Sequence, residues 1–316
     1  MGNLLTKKRL FTLAAAVFLL VAANLFFLWD AQRLSDQAVK SFRHVFNTTQ
    51  AYILPISDPN YLPILNTNID RPVVNAKSVL VYDTRSGRVL FSKNPSERMP
   101  IASLTKILSA VVVLERFNQS DVAIIGKESV KADGVRQDLY INERISVANL
   151  LQMMLVGSSN DAAYALAAHA ATHGIDFVQA MNEKAAEMGM KNSYFLDPAG
   201  LNDQAYGTAE DMVRLVNYAL RYDALWVGSD EKELTLSSAD GTFTHKITNT
   251  DELVGVIDDL YGGKTGYTEA ALGCLALVVN VTGQDTKVVS VVLGSPDRFG
   301  ESKLLIDWVR AAYRWE

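Results

Sequence analysis

A chain of 316 residues, 49% hydrophobic and 21% charged, has the composition of an ordinary globular protein, which excludes wholesale disorder. Thirty Lys+Arg against 35 Asp+Glu leave a net charge of -5 with no long basic run beyond the N-terminus, which argues against nucleic acid as a partner. The single cysteine, Cys274, can form no internal disulfide and no Cys-rich metal site; within the apolar run ALGCLALVV it reads as a small core residue.

Lys7, Lys8 and Arg9 precede an apolar run over residues 10–29, broken only by Thr12 and Asn24. As a helix, those 20 residues span about 30 Å, one hydrocarbon core. The positive-inside rule keeps the basic residues in the cytoplasm and sends everything after Trp29 across the bilayer. A cleaved signal peptide, with Val21 and Ala23 before the cut, is the alternative. The run exceeds the usual apolar core of such signals, about 7 to 15 residues, so an uncleaved anchor is the expectation. Residues 30–47 have the mixed pattern of a short juxtamembrane helix, and Pro55, Pro59, Pro63 and Pro72 mark a semi-extended spacer. The expected organisation is a tail (1–9), an anchor (10–29), the helix and spacer (30–72) and one folded domain (73–316).

Within that domain, β-rich runs at 78–84 and 88–92 flank the turn Ser86-Gly87 and predict a hairpin. Apolar spacing near 3.6 predicts helices over 104–117, 147–155, 161–171, 175–188 and 209–221. A second hairpin is expected from 272–281 and 287–293, joined by Thr282-Gly283-Gln284-Asp285, and a last helix over about 301–313. Strands from both chain ends with helices between them predict an α+β fold: an antiparallel sheet flanked by helices, with a largely helical lobe.

Three polar clusters interrupt this pattern. In Pro100-Ile-Ala-Ser103-Leu-Thr-Lys106, the serine and the lysine lie one helical turn apart, so a neutral amine could deprotonate the hydroxyl. The same spacing also suits an N-cap serine followed by a solvated lysine. Gly157-Ser158-Ser159-Asn160-Asp161 reads as a helix stop with an N-cap at Ser159 or Asn160. Its functional reading has Ser158 relaying protons and Asn160 binding a substrate carbonyl. Gly262-Gly263-Lys264-Thr265-Gly266-Tyr267-Thr268 looks like a phosphate loop, but the required earlier glycine position holds Asp258. His169 and His173 are spaced i, i+4, yet HAATH lacks the glutamate of H-E-x-x-H and reads as two helix-surface histidines; no metal, nucleotide, haem or flavin cofactor is expected.

In this order, S-x-x-K, S-x-N and K-T-G resemble the signature set of penicillin-binding proteins and serine β-lactamases. The surrounding VLVYDTRSGRVLFSKNPSERMPIASLTK, DPAGLND and YGGKTGYTEAALGCLALVV are similar to low-molecular-mass serine D-alanyl-D-alanine carboxypeptidases, and the resemblance covers nearly all of 76–316. It implies a β-lactamase/transpeptidase-like fold and a peptidoglycan stem peptide as substrate, with β-lactams as covalent inhibitors. Carried over, Ser103 is the nucleophile and Lys106 its base, with an amine depressed by Lys264 and by desolvation. Ser158, Asn160 and Lys264 complete the catalytic set, and Thr265 and Gly266 belong to the K-T-G motif on an edge strand. The backbone N–H groups of Ser103 and Tyr267 form the oxyanion hole, and Thr268 and Arg298 receive the terminal carboxylate. Arg298, in an R-x-x-E-S context, has a solvated loop cation as its bland alternative.

Family members often carry a β-rich second domain and a C-terminal amphipathic anchor; neither pattern is present here, and the N-terminal anchor is expected to replace the latter. No E-x-x-L-N pattern lies between Asn160 and Lys264, so fast penicillin hydrolysis is not expected. The resemblance therefore implies a membrane-tethered serine D,D-carboxypeptidase facing the cell wall, with D,D-endopeptidase action or a silent wall-binding scaffold as alternatives.

Overall fold

The computed structural model describes residues 62–131, 133–134 and 139–315; the expected tail, anchor and juxtamembrane helix lie outside the described residues. The described residues belong to one unit, 59–316. Strands β1 (Pro63–Leu65), β2 (Ser78–Asp83) and β3 (Val89–Lys93) lead into a 3-10 turn, Ala102–Leu104, and helix α1 (Thr105–Leu114). There follow β4 (Val122–Ile124), α2 (Lys127–Val130), β5 (Arg144–Ser146), α3 (Val147–Leu155), α4 (Asn160–Thr172), α5 (Phe177–Glu187), α6 (Ala209–Ala219) and α7 (Asp223–Trp226). The chain continues through β6 (Glu233–Ser237), β7 (Thr244–Thr248), β8 (Leu260–Thr268), β9 (Leu272–Asn280), β10 (Lys287–Ser295), α8 (Arg298–Ala312) and β11 (Tyr313–Trp315).

The two hairpins expected from opposite chain ends join in one antiparallel five-stranded sheet of order β3-β2-β10-β9-β8. Its central strands are buried on both faces, so they read as continuous apolar runs rather than as alternating ones. The pleat sorts them: Leu275, Leu277 and Val279 pack with Leu305, Ile306 and Val309 of α8, while Ala276 and Val278 face the helical lobe. At the centre of that lobe is α1, whose residues Thr105 to Val113 are all buried, as expected of a helix apolar on every side. Side-chain caps fix the surrounding helices: Ser146 on α3, Ser159 on α4, Asp176 on α5, Thr208 on α6 and Asp297 on α8.

Several boundaries differ from expectation. Part of the expected spacer is folded, since β1 pairs antiparallel with β11; Pro63 is tolerated as the first residue of an edge strand, and β11 ends the last helix at Ala312. The helix expected at 104–117 is shorter because a 3-10 turn precedes it and Glu115 is its C-cap. The β6–β7 hairpin was not anticipated, although Asp240-Gly241 lies between two β-rich runs and Gly241 adopts φ +72°.

Candidate active site

The nucleophile candidate, Ser103, lies on the 3-10 turn that feeds α1, beside Ala102 at φ +48°. No side chain caps either the turn or the helix, so Ser103 is not the N-cap that its spacing also allowed. Nor is Lys106 solvated: it is 0% exposed. Its Nζ lies 2.7 Å from Ser103 Oγ, 2.8 Å from Asn160 Oδ1 and 2.8 Å from the carbonyl oxygen of Ala199. Burial lowers its ammonium to about 7, with Asp197 pulling the other way. The electrostatic part of the expectation therefore changes, since desolvation and not the second lysine is the dominant cause.

Ala199, which sequence reasoning did not single out, is held by an unusual acceptor. The Asp197 carboxylate takes backbone N–H groups from Ala199, Gly200, Leu201 and Asn202 at 2.6 to 3.2 Å, and this pins the DPAGLND segment over α1. The segment also requires Gly200, at φ +78°, because a Cβ there would lie 2.0 Å from the Ala102 carbonyl oxygen.

The S-x-N cluster serves both of its readings. Ser159 caps α4 through Ala162 N–H, and the cap directs Asn160 from the first helical position onto Lys106. Ser158, at φ +58°, turns its hydroxyl toward β8, where Lys264 Nζ donates to it at 2.9 Å. The Lys264 amine also donates to the Thr265 carbonyl oxygen at 3.0 Å. Only 1% exposed, it is held well below the usual lysine range by burial first and by Lys106 second. The Asn160 amide nitrogen donates to the Asp133 carbonyl oxygen at 2.9 Å, so the contact expected with a substrate carbonyl is made by backbone here.

As an edge strand, β8 brings the K-T-G motif alongside Ser103. A Cβ on Gly266 would lie 3.0 Å from Ser103 N and 3.1 Å from the Ile101 carbonyl oxygen, so only glycine lets the strand approach this closely. Thr265 Oγ1 and Thr250 Oγ1 are 2.6 Å apart beneath it. Ser103, Ser158, Asn160, Thr265, Tyr267 and Arg298 line one cavity of about 280 Å³, with the two lysine amines below its floor. A larger cavity of about 560 Å³, between β9, β10 and α8, contains none of these residues.

The family model for D-alanyl-D-alanine carboxypeptidases matches residues 66–297. The chain belongs to that family. It is 32% identical over 236 residues to a D-alanyl-D-alanine endopeptidase of Pseudomonas aeruginosa, covering 73% of this chain and 76% of that protein. It is 29% identical to D-alanyl-D-alanine carboxypeptidase DacF of Bacillus subtilis, covering 75% of this chain and 63% of the other. The crystal structure of a D-alanyl-D-alanine carboxypeptidase from Mycobacterium tuberculosis superposes with a TM-score of 0.70 at 26% identity, covering 78% of this chain and 96% of that one. The fold of this family member is thus that of the penicillin-binding proteins, as its motifs implied.

At the far end of the cleft, Arg298 is the first residue of α8 rather than part of a loop. Its guanidinium carbon is 4.5 Å from the Phe299 ring centroid and 6.0 Å from that of Tyr267, and its buried Nε has no hydrogen-bond partner. The glutamate of R-x-x-E-S does not pair with it: Glu301 accepts from the backbone N–H of Asn75 and Ala76 and from Ser295 Oγ, tying α8 to the segment before β2. Thr268 Oγ1 donates to Asp203 Oδ1 at 2.8 Å and accepts from Ala271 N–H at 3.0 Å. Away from the cleft, Cys274 is fully buried and its thiol is pushed up to about 11 by burial. His169 departs from its surface expectation: it is half-buried, and its ring packs against Phe117 and His173.

Proposed function

We propose that this family member is a serine D,D-carboxypeptidase that removes the terminal D-alanine from peptidoglycan stem pentapeptides through an acyl-enzyme on Ser103. One observation carries the reading: a fully buried amine whose ammonium is depressed to about 7 lies 2.7 Å from a serine hydroxyl in an open cleft. Neutral Lys106 takes the Ser103 proton as Oγ attacks the carbonyl carbon of the penultimate D-alanine. The tetrahedral oxyanion faces the backbone N–H groups of Ser103 and Tyr267. As the intermediate collapses, the leaving amine receives a proton through Ser158, which is backed by Lys264, and D-alanine departs. Water then hydrolyses the ester, with Lys106 again as base. A β-lactam presents a strained acyl group to the same serine and inhibits by remaining on it.

A second reading, D,D-endopeptidase action on crosslinks, uses the same residues. Its support is that the Pseudomonas endopeptidase is matched over 76% of its length, against 63% for the Bacillus carboxypeptidase. The clustered Ser103, Lys106 and Lys264 argue against a silent scaffold. The apolar run over residues 10–29, preceded by Lys7, Lys8 and Arg9, supports a single uncleaved anchor with the domain outside the cytoplasmic membrane as part of this reading; among the described residues no helix is long and apolar enough to cross one. A mature N-terminus at Asn24, read by mass spectrometry, would replace the anchor with a cleaved signal.

The decisive experiment incubates the protein with a stem pentapeptide and with a crosslinked dimer, and measures D-alanine and monomer release. Fluorescent penicillin should label the wild type and not Ser103→Ala. A stable adduct on the Ser103→Ala protein removes Ser103 as the nucleophile.

A further inference from the structure

The Thr268 hydroxyl, which lines the cleft, has one proton to donate, and in this structure it goes to the Asp203 carboxylate. Asp203 is exposed, yet its backbone is held on both sides. Asn202 N–H is bound by Asp197, and Gln204 N–H and Ala205 N–H are bound by Asn202. The carboxylate is therefore presented by a fixed loop. Nearby in the same cleft, Arg298 makes no ion pair among the described residues and its buried Nε is unpartnered; the Asp251 carboxyl, which feels its charge, is held above the usual carboxylate range by burial, so it opposes an incoming anion less than a free carboxylate would.

We infer that Asp203 is a specificity-determining residue: its carboxylate occupies the Thr268 hydroxyl that a substrate's terminal carboxylate needs, so every free-acid substrate displaces an internal anion. The inference rests on the D,D-peptidase reading above, in which the leaving D-alanine bears that carboxylate. Two anions cannot share one hydroxyl proton, and the arriving carboxylate meets attraction from Arg298 and repulsion from Asp203 together. The discrimination between a free-acid substrate and its amide is then smaller than Arg298 alone would give. An amidated terminus carries no charge and escapes the repulsion. Asp203 acts on the ground-state encounter with the leaving group, so its effect falls on KM and not on the acyl-transfer chemistry.

The test compares a pentapeptide ending in free D-alanine with the same peptide amidated. Asp203→Asn should raise the ratio of kcat/KM between acid and amide by about 1.5- to 5-fold, the range expected of one exposed charge, chiefly through a lower KM for the acid. Asp203→Glu, which retains the charge, should stay near the wild-type ratio. The difference between wild type and Asp203→Asn should also shrink as salt is raised. An unchanged or lower ratio in Asp203→Asn overturns the inference and leaves the Asp203–Thr268 bond a merely structural one. Should the wild type release D-alanine from neither peptide, the carboxypeptidase reading fails by itself. Acylation by benzylpenicillin and by its methyl ester then tests Asp203 independently: faster acylation of Asp203→Asn by the acid alone supports the inference, and equal rates for the two forms overturn it.

Discussion

Lys106, the proposed base, shows why a motif spacing alone does not reveal one. One turn of helix brings the amine to Ser103, and that much is legible in S-x-x-K; its remaining partners, Asn160 and the Ala199 carbonyl, come from 54 and 93 residues away. Only the fold buries the amine, and burial is what makes it titrate near neutrality. The sign follows from the direction of the shift: the neutral form exists above about pH 7 and is lost below it. Acylation by penicillin should therefore rise about tenfold per unit on the acid side of 7 and level off above 8. Lys106→Arg, which keeps the charge but cannot deprotonate, should abolish acylation at every pH with the fold retained. A stopped-flow profile rising only near 10 would return Lys106 to an ordinary lysine. Arg298 makes the matching prediction for specificity. A charge-assisted hydrogen bond to the substrate carboxylate contributes about 1.5 to 3 kcal/mol, so Arg298→Ala should lower kcat/KM on a free-acid pentapeptide by about 10- to 150-fold. The amidated peptide should change little; equal losses on both would make Arg298 a support for the fold.

At the scale of elements, the catalytic geometry depends on how closely β8 passes the turn carrying Ser103. Gly266→Ala inserts a methyl that meets Ser103 N at 3.0 Å, the Ile101 carbonyl oxygen at 3.1 Å and the Ala102 Cβ at 3.1 Å. Two of these are backbone atoms that cannot rotate away, so the strand must retreat, at about 1 to 3 kcal/mol of overpacking strain. The gap between the Ser103 and Tyr267 N–H groups, proposed above to hold the oxyanion, then widens. Penicillin acylation should fall by more than tenfold, while the melting temperature drops by about 2 to 4 °C per kcal/mol. Full acylation by Gly266→Ala would show that the close approach serves packing alone. Legibility differed by element for physical reasons. The β2–β3 and β9–β10 hairpins carry their turn residues and β-branched runs in plain sequence, and the lobe helices carry their period. By contrast, β8 contains Leu260, Tyr261 and a glycine-rich motif with no β-branched run, and it is a strand because it pairs with β9. The β1–β11 pair is equally invisible locally, since it joins the two ends of the folded unit.

For the whole molecule, that last pairing decides where the domain begins. Residues up to 72 read as spacer because prolines remove period and donors, yet 63–66 carry three registered pairs to β11 and an Asn66 N–H bond to the Ala312 carbonyl oxygen at 2.7 Å. Val74 is buried in the apolar cluster around α8, and its carbonyl oxygen accepts from Lys93 Nζ at 2.7 Å. A fragment starting at Leu62 should therefore be more stable than one starting at Asn75, which loses the strand, that side-chain burial and several hydrogen bonds worth about 0.5 to 1.5 kcal/mol each. The expected cost is about 5 to 10 °C in melting temperature for a unit of this size. Because the lost contacts lie along α8 and β11, on the side of the sheet away from Ser103, both fragments should be acylated by penicillin at similar rates at 25 °C. Equal melting temperatures would mean that the β1–β11 pair adds nothing to stability and that the spacer does extend to residue 72. A stability loss with acylation preserved would set the boundary of the catalytic unit at Leu62, ahead of the proline that the sequence pattern assigned to the linker.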